Sequence, residues 1–295
     1  MGVAALSGPV REESLAAGVA VLEGFGYRVR VAPNVLATEP LLGLAGDDEA
    51  RLSGYLGLAS DPEVDAILFA RGGYGVTRLL DRLPVRLLSE GAKLHCGFSD
   101  LTALSAFLRE RCSLVSIHGP MVAADLAAPL DPLAREWFPS LLEGRAPERL
   151  HVPAADVLVP GRAEGPLVGG CLSLLAALAG TPWDFDYDGA LLFLEEVGEE
   201  AYRVDRMLGT LLSSGRLSRL AGIITGCMTR VTFGGLEDPG RLRRLLLERL
   251  APLGVPVASG LPFGHSGPNV PLPVGARASW DGETRTLAFE EGFVS

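Results

Sequence analysis

The chain has 295 residues and a mass of 31.0 kDa, enough for about two domains at roughly 150 residues each. Apolar residues make up 48% and charged residues 21%, which excludes a largely disordered chain. A net charge of −10 argues against nucleic acid and anionic membranes as partners. Lys93 is the sole lysine. Cys96, Cys112, Cys171 and Cys227 are scattered without CxxC spacing, so they read as buried reduced thiols rather than zinc ligands. The N-terminus has no basic segment before an apolar run, and Leu6 breaks the myristoylation pattern. The uncharged stretch 166–184 is interrupted by Gly169, Gly170, Ser173, Gly180 and Pro182. It reads as a buried helix between loops rather than a membrane span. A soluble, cytoplasmic protein is expected.

The first half alternates strand and helix signals. Residues 3–6 are a short apolar strand. Residues 12–22 carry Leu15, Val19 and Leu22 at helical spacing behind an acidic first turn. Tyr27, Val29 and Val31 alternate with arginines, a period-2 strand ended by Pro33. A helix over 47–58, a strand over 66–70, a helix over 76–83, a strand over 94–98, a helix over 101–111 and a strand over 114–117 follow. Strands separated by helices predict a mainly parallel, layered α/β sheet.

Around residues 124–165 the pattern breaks into Ala- and Pro-rich sequence with a short helix near 135–142, which reads as a linker. It divides the chain into residues 1–150 and 151–295. The second half carries helices over 172–179, 202–212 and 242–250, strands over 191–197 and 222–225, and a terminal hairpin around Asp281-Gly282. This half reads as α+β.

The sharpest candidate for chemistry is Cys96-Gly97-Phe98-Ser99-Asp100-Leu101-Thr102, which joins a buried strand to a helix. A serine on a tight strand-to-helix turn projects its hydroxyl beside unpaired helix N–H groups, the arrangement of an activated nucleophile. The plain alternative is that Ser99 or Asp100 caps the helix. Leu101 breaks the G-x-S-x-G pattern of α/β-hydrolases. A serine nucleophile needs a base. His95 reads as core and His151 as solvated. His118 stands at a strand C-terminus, where open α/β sheets hold ligands, and His265 stands in a Gly-flanked loop. The residues alone leave these two open. Glu195-Glu196 ends an apolar strand and offers a carboxylate to orient a histidine. Arg71-Gly72-Gly73-Tyr74-Gly75 follows a strand. It reads as a phosphate cradle, as an exposed loop whose amides serve an oxyanion or a substrate carboxylate, or as a turn.

Taken together these segments resemble one family, the serine LD-carboxypeptidases, which includes murein tetrapeptide carboxypeptidases and microcin C immunity peptidases. The resemblance rests on Arg71–Gly75 with Arg78-Leu79-Leu80, Gly97–Leu104, His118-Gly119-Pro120, Gly169–Ser173 and Gly180-Thr181-Pro182. It continues through Leu194–Glu199, Tyr202, Asp205–Leu208 and Pro262–His265. The resemblance implies a flavodoxin-like N-terminal domain, a C-terminal domain that supplies Glu and His, and a Ser–Glu–His triad. The triad falls on Ser99, Glu195 (with Glu196 the alternative) and His265. The mechanism this suggests draws the oxyanion hole from the amide of Asp100 with that of Gly72 or Gly73. No metal or cofactor is expected, and the partners are a small peptide substrate and a second copy in a homodimer. Cys171 stands where the family usually has Asn. The competing reading is a non-catalytic or nucleotide-binding α/β protein in which Ser99 is only a cap.

Overall fold

The computed structural model describes residues 1–145, 149–265 and 267–290. The elements run β1 (Gly2–Ala4), α1 (Glu12–Gly24), β2 (Arg30–Val31), α2 (Asp48–Ser60), β3 (Ala66–Phe69), α3 (Val85–Gly91), β4 (Leu94–Cys96), α4 (Thr102–Cys112) and β5 (Ser116–His118). Then come α5 (Pro132–Leu142), β6 (Arg149–His151), β7 (Asp156–Val159), β8 (Arg162–Cys171), α6 (Leu172–Leu178), β9 (Leu191–Val197), α7 (Ala201–Ser213) and β10 (Gly222–Thr229). The chain closes with α8 (Pro239–Leu250), β11 (Val257–Ser259), β12 (Leu272–Val274), β13 (Arg277–Asp281) and β14 (Thr286–Phe289).

Two sheets result. The first has the order β12-β5-β4-β3-β1-β2. Its strands β1 to β5 pair in parallel, which is the flavodoxin-like order 2-1-3-4-5. The second has the order β6-β14-β13-β8-β9-β10-β11-β7. Its four central strands, β8 to β11, are parallel and joined by α6, α7 and α8, while β13, β14, β6 and β7 pair antiparallel at the flanks. The expected α/β architecture with two units is what the chain adopts.

Two local expectations change, and one segment given no element in advance adds a strand. Residues 76–83 form two short 3₁₀ turns, Val76–Arg78 and Leu80–Arg82, instead of one helix. Pro84 bounds the run, and the Val76 N–H is taken by the Asp100 carboxylate at 3.0 Å. Residues 124–165 are not an unstructured linker. Asp131 caps α5 by accepting from the Leu133 amide, Pro132 opens the helix, and Trp137, Phe138, Leu141 and Leu142 are buried. Strands β6 and β7 then close opposite edges of the second sheet against β14 and β11. Finally, the Pro-rich segment after 260 returns to the first sheet. There β12 pairs antiparallel with β5, Leu272 opposite His118. Pro273 is tolerated because β12 lies at the sheet edge.

The two sheets meet at the start of α4. Gly170, at φ +145°, is the penultimate residue of β8, and a Cβ there would overlap the Thr102 hydroxyl. Thr102 is buried, and its Oγ1 accepts from the Cys171 amide at 3.1 Å. Among the described residues no helix is long and apolar enough to cross a membrane. Thr102→Val keeps the shape and strands a buried N–H. It is expected to lower stability by about 1–3 kcal/mol, measured by urea unfolding; an unchanged midpoint would remove this hydrogen bond from the account.

Candidate active site

Three loops leave the C-terminal ends of β1, β3 and β4 and converge, as open parallel sheets require of their ligand-binding crevice. The β4 loop is strained at its centre. Ser99 has φ +63°, a left-handed conformation uncommon for a residue with a Cβ. It opens a 3₁₀ turn, Ser99–Leu101, that leads into α4. No side chain caps this turn or α4. The capping reading of Ser99 and Asp100 is therefore not what the structure shows.

Asp100 instead ties the three loops together. Its buried carboxylate accepts from the Ser7 hydroxyl at 2.6 Å and the Val76 amide at 3.0 Å. Burial pushes its pKa up, and these two donors pull it back. Gly72, on the β3 loop, packs directly on the serine. A Cβ at position 72 would lie 2.9 Å from Ser99 Cβ and 3.0 Å from its Oγ, so only glycine allows the backbone so close. Gly73 follows at φ +125°, and the Gly8 amide donates to the Gly72 carbonyl at 3.3 Å.

Arg51, fully buried on α2, braces the same loops. Its guanidinium donates to the carbonyl of Leu6, to that of Gly75 at 3.0 Å, and to Asp48. Arg78 grips Asp48 from the other side, Nε and Nη2 at 2.9 and 2.8 Å, and these bonds hold the Asp48 carboxyl below its usual range.

The second sheet supplies a carboxylate and a histidine. Glu195 is fully buried near the end of β9, and its Oε2 lies 2.6 Å from His265 Nδ1. Gly264 lets the histidine loop approach, because a Cβ there would lie 2.9 Å from Glu195 Oε2. The Gly264 amide donates to Asn269 Oδ1 at 3.0 Å, closing the loop on itself. Burial pushes the Glu195 pKa up and the His265 hydrogen bond opposes it. Burial alone would lower the His265 pKa. The Glu195 hydrogen bond and the charges of Glu195, Glu196 and Asp125 outweigh it and leave His265 raised. The His265 ring rests on Phe98, the residue before Ser99, with centroids 4.8 Å apart.

The remaining candidates separate. Glu196 points away from His265, since alternate residues of a strand face opposite sides. Its carboxylate accepts from the Ser173 amide at 2.7 Å and the Val197 amide at 2.8 Å, and so holds the start of α6. Cys171 places Sγ 3.6 Å from both Glu196 oxygens, with its thiol pushed up by burial. His118 is a core ring packed on Phe98 and Phe193, and burial takes its pKa down to about 3. His95 bonds the Tyr55 hydroxyl at 2.9 Å in the core, and burial takes it to about 4. His151 is exposed on β6. Among the described residues no group of three or more His, Cys, Asp or Glu side chains is gathered as a metal site.

The fold thus sets a strained serine after β4 and, from a second sheet, a buried carboxylate on β9 paired with a histidine on the loop that follows β11. The chain belongs to the LD-carboxypeptidase family. The LD-carboxypeptidase N-terminal domain matches residues 1–119 and the LD-carboxypeptidase C-terminal domain matches residues 164–279. The murein tetrapeptide carboxypeptidase of Pseudomonas aeruginosa is 35% identical over 250 residues, covering 81% of this chain and 80% of that one. The Bacillus subtilis protein named "Probable murein peptide carboxypeptidase" is 33% identical over 294 residues, 99% of this chain and 92% of that one. The crystal structure of the Oxalobacter formigenes muramoyltetrapeptide carboxypeptidase superposes with a TM-score of 0.85 at 31% identity, covering 99% of both chains. The microcin C7 self-immunity protein, in complex with glutamyl sulfamoyl guanosine, shares the fold with a TM-score of 0.87 at 21% identity, covering 100% of this chain and 96% of that one. The protein is thus a peptide-bond hydrolase, and the non-catalytic reading falls away.

Sequence reasoning missed Ser7, Arg51, Thr102 and Asn269. Arg51 left a signal: Arg51, Tyr55 and Leu58 share helical spacing, so an arginine stands on the buried face of α2. Arg51→Met leaves the Leu6 and Gly75 carbonyls unpaired. It is expected to cost about 2–4 kcal/mol of stability. A loss below about 1 kcal/mol in denaturant unfolding would show that other contacts hold these loops.

Proposed function

We propose that the enzyme is a serine LD-carboxypeptidase that hydrolyses the bond before the C-terminal D-amino acid of a murein tetrapeptide, releasing D-alanine. The observation that carries this reading is the 2.6 Å Glu195–His265 pair, whose histidine lies against the turn that holds Ser99 in a left-handed conformation. The identities of 31–35% to peptidases named for murein peptides support that substrate over a peptide-nucleotide, where the likeness is one of fold. The catalytic parts fall on two units: residues 1–150 carry Ser99 and residues 151–295 carry Glu195 and His265.

Glu195 accepts the Nδ1 proton of His265, which leaves Nε2 as the basic nitrogen. Nε2 takes the Ser99 proton as Oγ attacks the carbonyl of the L-residue. The tetrahedral oxyanion is held by the amide of Asp100 with that of Gly72 or Gly73, each donor contributing about 2.7–4 kcal/mol. His265 then protonates the departing amine of the D-residue. Water, activated by the same histidine, hydrolyses the acyl-enzyme. No step in this route calls for a metal or cofactor. The same reading places the enzyme in the cytoplasm as a homodimer; sedimentation at the mass of one chain would remove the dimer.

Ser99→Ala is expected to lower D-alanine release by about 10³-fold or more with unchanged thermal unfolding. Retention of full activity would reject Ser99 as nucleophile. The pH dependence follows from the raised His265 pKa. The base must be neutral, so kcat/KM is lost as pH falls through that pKa, above the ordinary value of about 6.5. Glu195→Gln removes the largest influences that raise it and should move the acidic limb to lower pH while lowering the rate. An acidic limb that stays in place would separate Glu195 from the titrating group.

A further inference from the structure

A cavity of about 600 Å³ is lined by Pro9, Val10, Arg11, Ser14, Arg71 and Ala123 among others, and Arg71 is the residue before Gly72. Its walls are the chain after β1, the chain after β3 and the turn at 121–125. It therefore sits where the strand order reverses, between β1 and β3, the crevice at which open α/β sheets bind ligands. Two cations face it. Arg71 is exposed, its Nη1 donates to the Pro9 carbonyl at 3.3 Å, and its stem lies over Gly8, where a Cβ would come within 3.4 Å of Nε. Among the described residues neither Arg71 nor Arg11 forms an ion pair.

Position does the rest. In a carboxypeptidase the terminal carboxylate stands one residue beyond the scissile carbonyl, about 3.8 Å along the chain. Its anchor must therefore adjoin the nucleophile. Arg71 precedes Gly72, and Gly72 is the residue packed against Ser99 Oγ. On the far wall, Ala123 donates to the Ala70 carbonyl at 2.8 Å, which fixes that wall to the residue before Arg71.

We infer that this cavity is the subsite for the free carboxylate of the substrate's terminal D-residue, with Arg71 as its specificity-determining anchor and Arg11 as a second cation. The inference rests on the peptidase reading above and adds how that site selects a chain end. An arginine fork matches a carboxylate with two parallel charge-assisted hydrogen bonds. An internal peptide bond, with no free carboxylate at this position, leaves the fork unanswered.

The test is calorimetric binding to Ser99→Ala protein, which needs no turnover. The probes are a tetrapeptide ending in L-residue–D-alanine as the free acid and the same peptide as its C-terminal amide. The free acid is expected to bind about 10- to 100-fold more tightly than the amide. Adding Arg71→Gln should collapse that ratio toward one, and Arg71→Lys should restore part of it. Equal binding of acid and amide, binding of neither, or a preference that survives Arg71→Gln would overturn the subsite. The peptidase reading fails by a different result, the absence of D-alanine release by the wild-type enzyme.

Discussion

A carboxylate with no solvent exposure sits near the end of β9, and the site is organised around the partner that makes it tolerable. An isolated ionised carboxyl in such a place carries a large desolvation penalty. Glu195 avoids it by meeting His265 Nδ1 at 2.6 Å. This single contact fixes the ring orientation, selects the free nitrogen and raises the histidine's basicity. It also requires the loop before β12 to lie between the two sheets. That placement is secured by β12 returning to pair with β5 in the first sheet, and by Asn269 holding the Gly264 amide.

The first sheet meets this requirement from the other side. Its loops would be free to move if each stood alone, since β1 and β4 are buried but only 3 residues long. Two buried charged groups bind them into one body. Asp100 joins the β4 turn to Ser7 and Val76, while Arg51 joins the carbonyls of Leu6 and Gly75. Both groups are hydrogen-bonded to more than one loop, so neither can be removed without leaving buried polar partners unmet. The strain at Ser99 persists because these bonds over-determine its neighbours. Between the two halves lies an aromatic floor of Phe98, His118, Phe193 and Phe263, on which the His265 ring rests.

Much of this was legible in the residues, and for physical reasons. Helix–strand alternation in the first half reports burial on a parallel sheet, so strands β1, β3, β4 and β5 were found within a few residues. The Ser99 turn was legible because a strand ending in Gly-Phe-Ser-Asp before an apolar helix has few conformations open to it. The stretch 124–165 was misread because its signals are of other kinds: a proline at a helix N-terminus and edge strands that pair with residues about a hundred positions away or more. The run 76–83 was misread because its spacing also suits short 3₁₀ turns, and Pro84 ends the run before a longer helix can form.

By itself the sequence determined the layered α/β class, the serine turn, the Glu195-Glu196 strand end and, through the ordered motifs, the family resemblance. All of these are local patterns or their order along the chain. It did not choose between His118 and His265 from the residues alone, nor between Glu195 and Glu196 except by likeness. Tertiary structure decided the geometry behind both. His118 faces an apolar floor that keeps it neutral, while His265 reaches a buried carboxylate 70 residues away. Glu195 and Glu196 are chemically identical neighbours, and the strand's alternation sends one to the histidine and the other to the start of α6. Which face of a strand meets which loop depends on the packing of two sheets, and no local pattern carries that information.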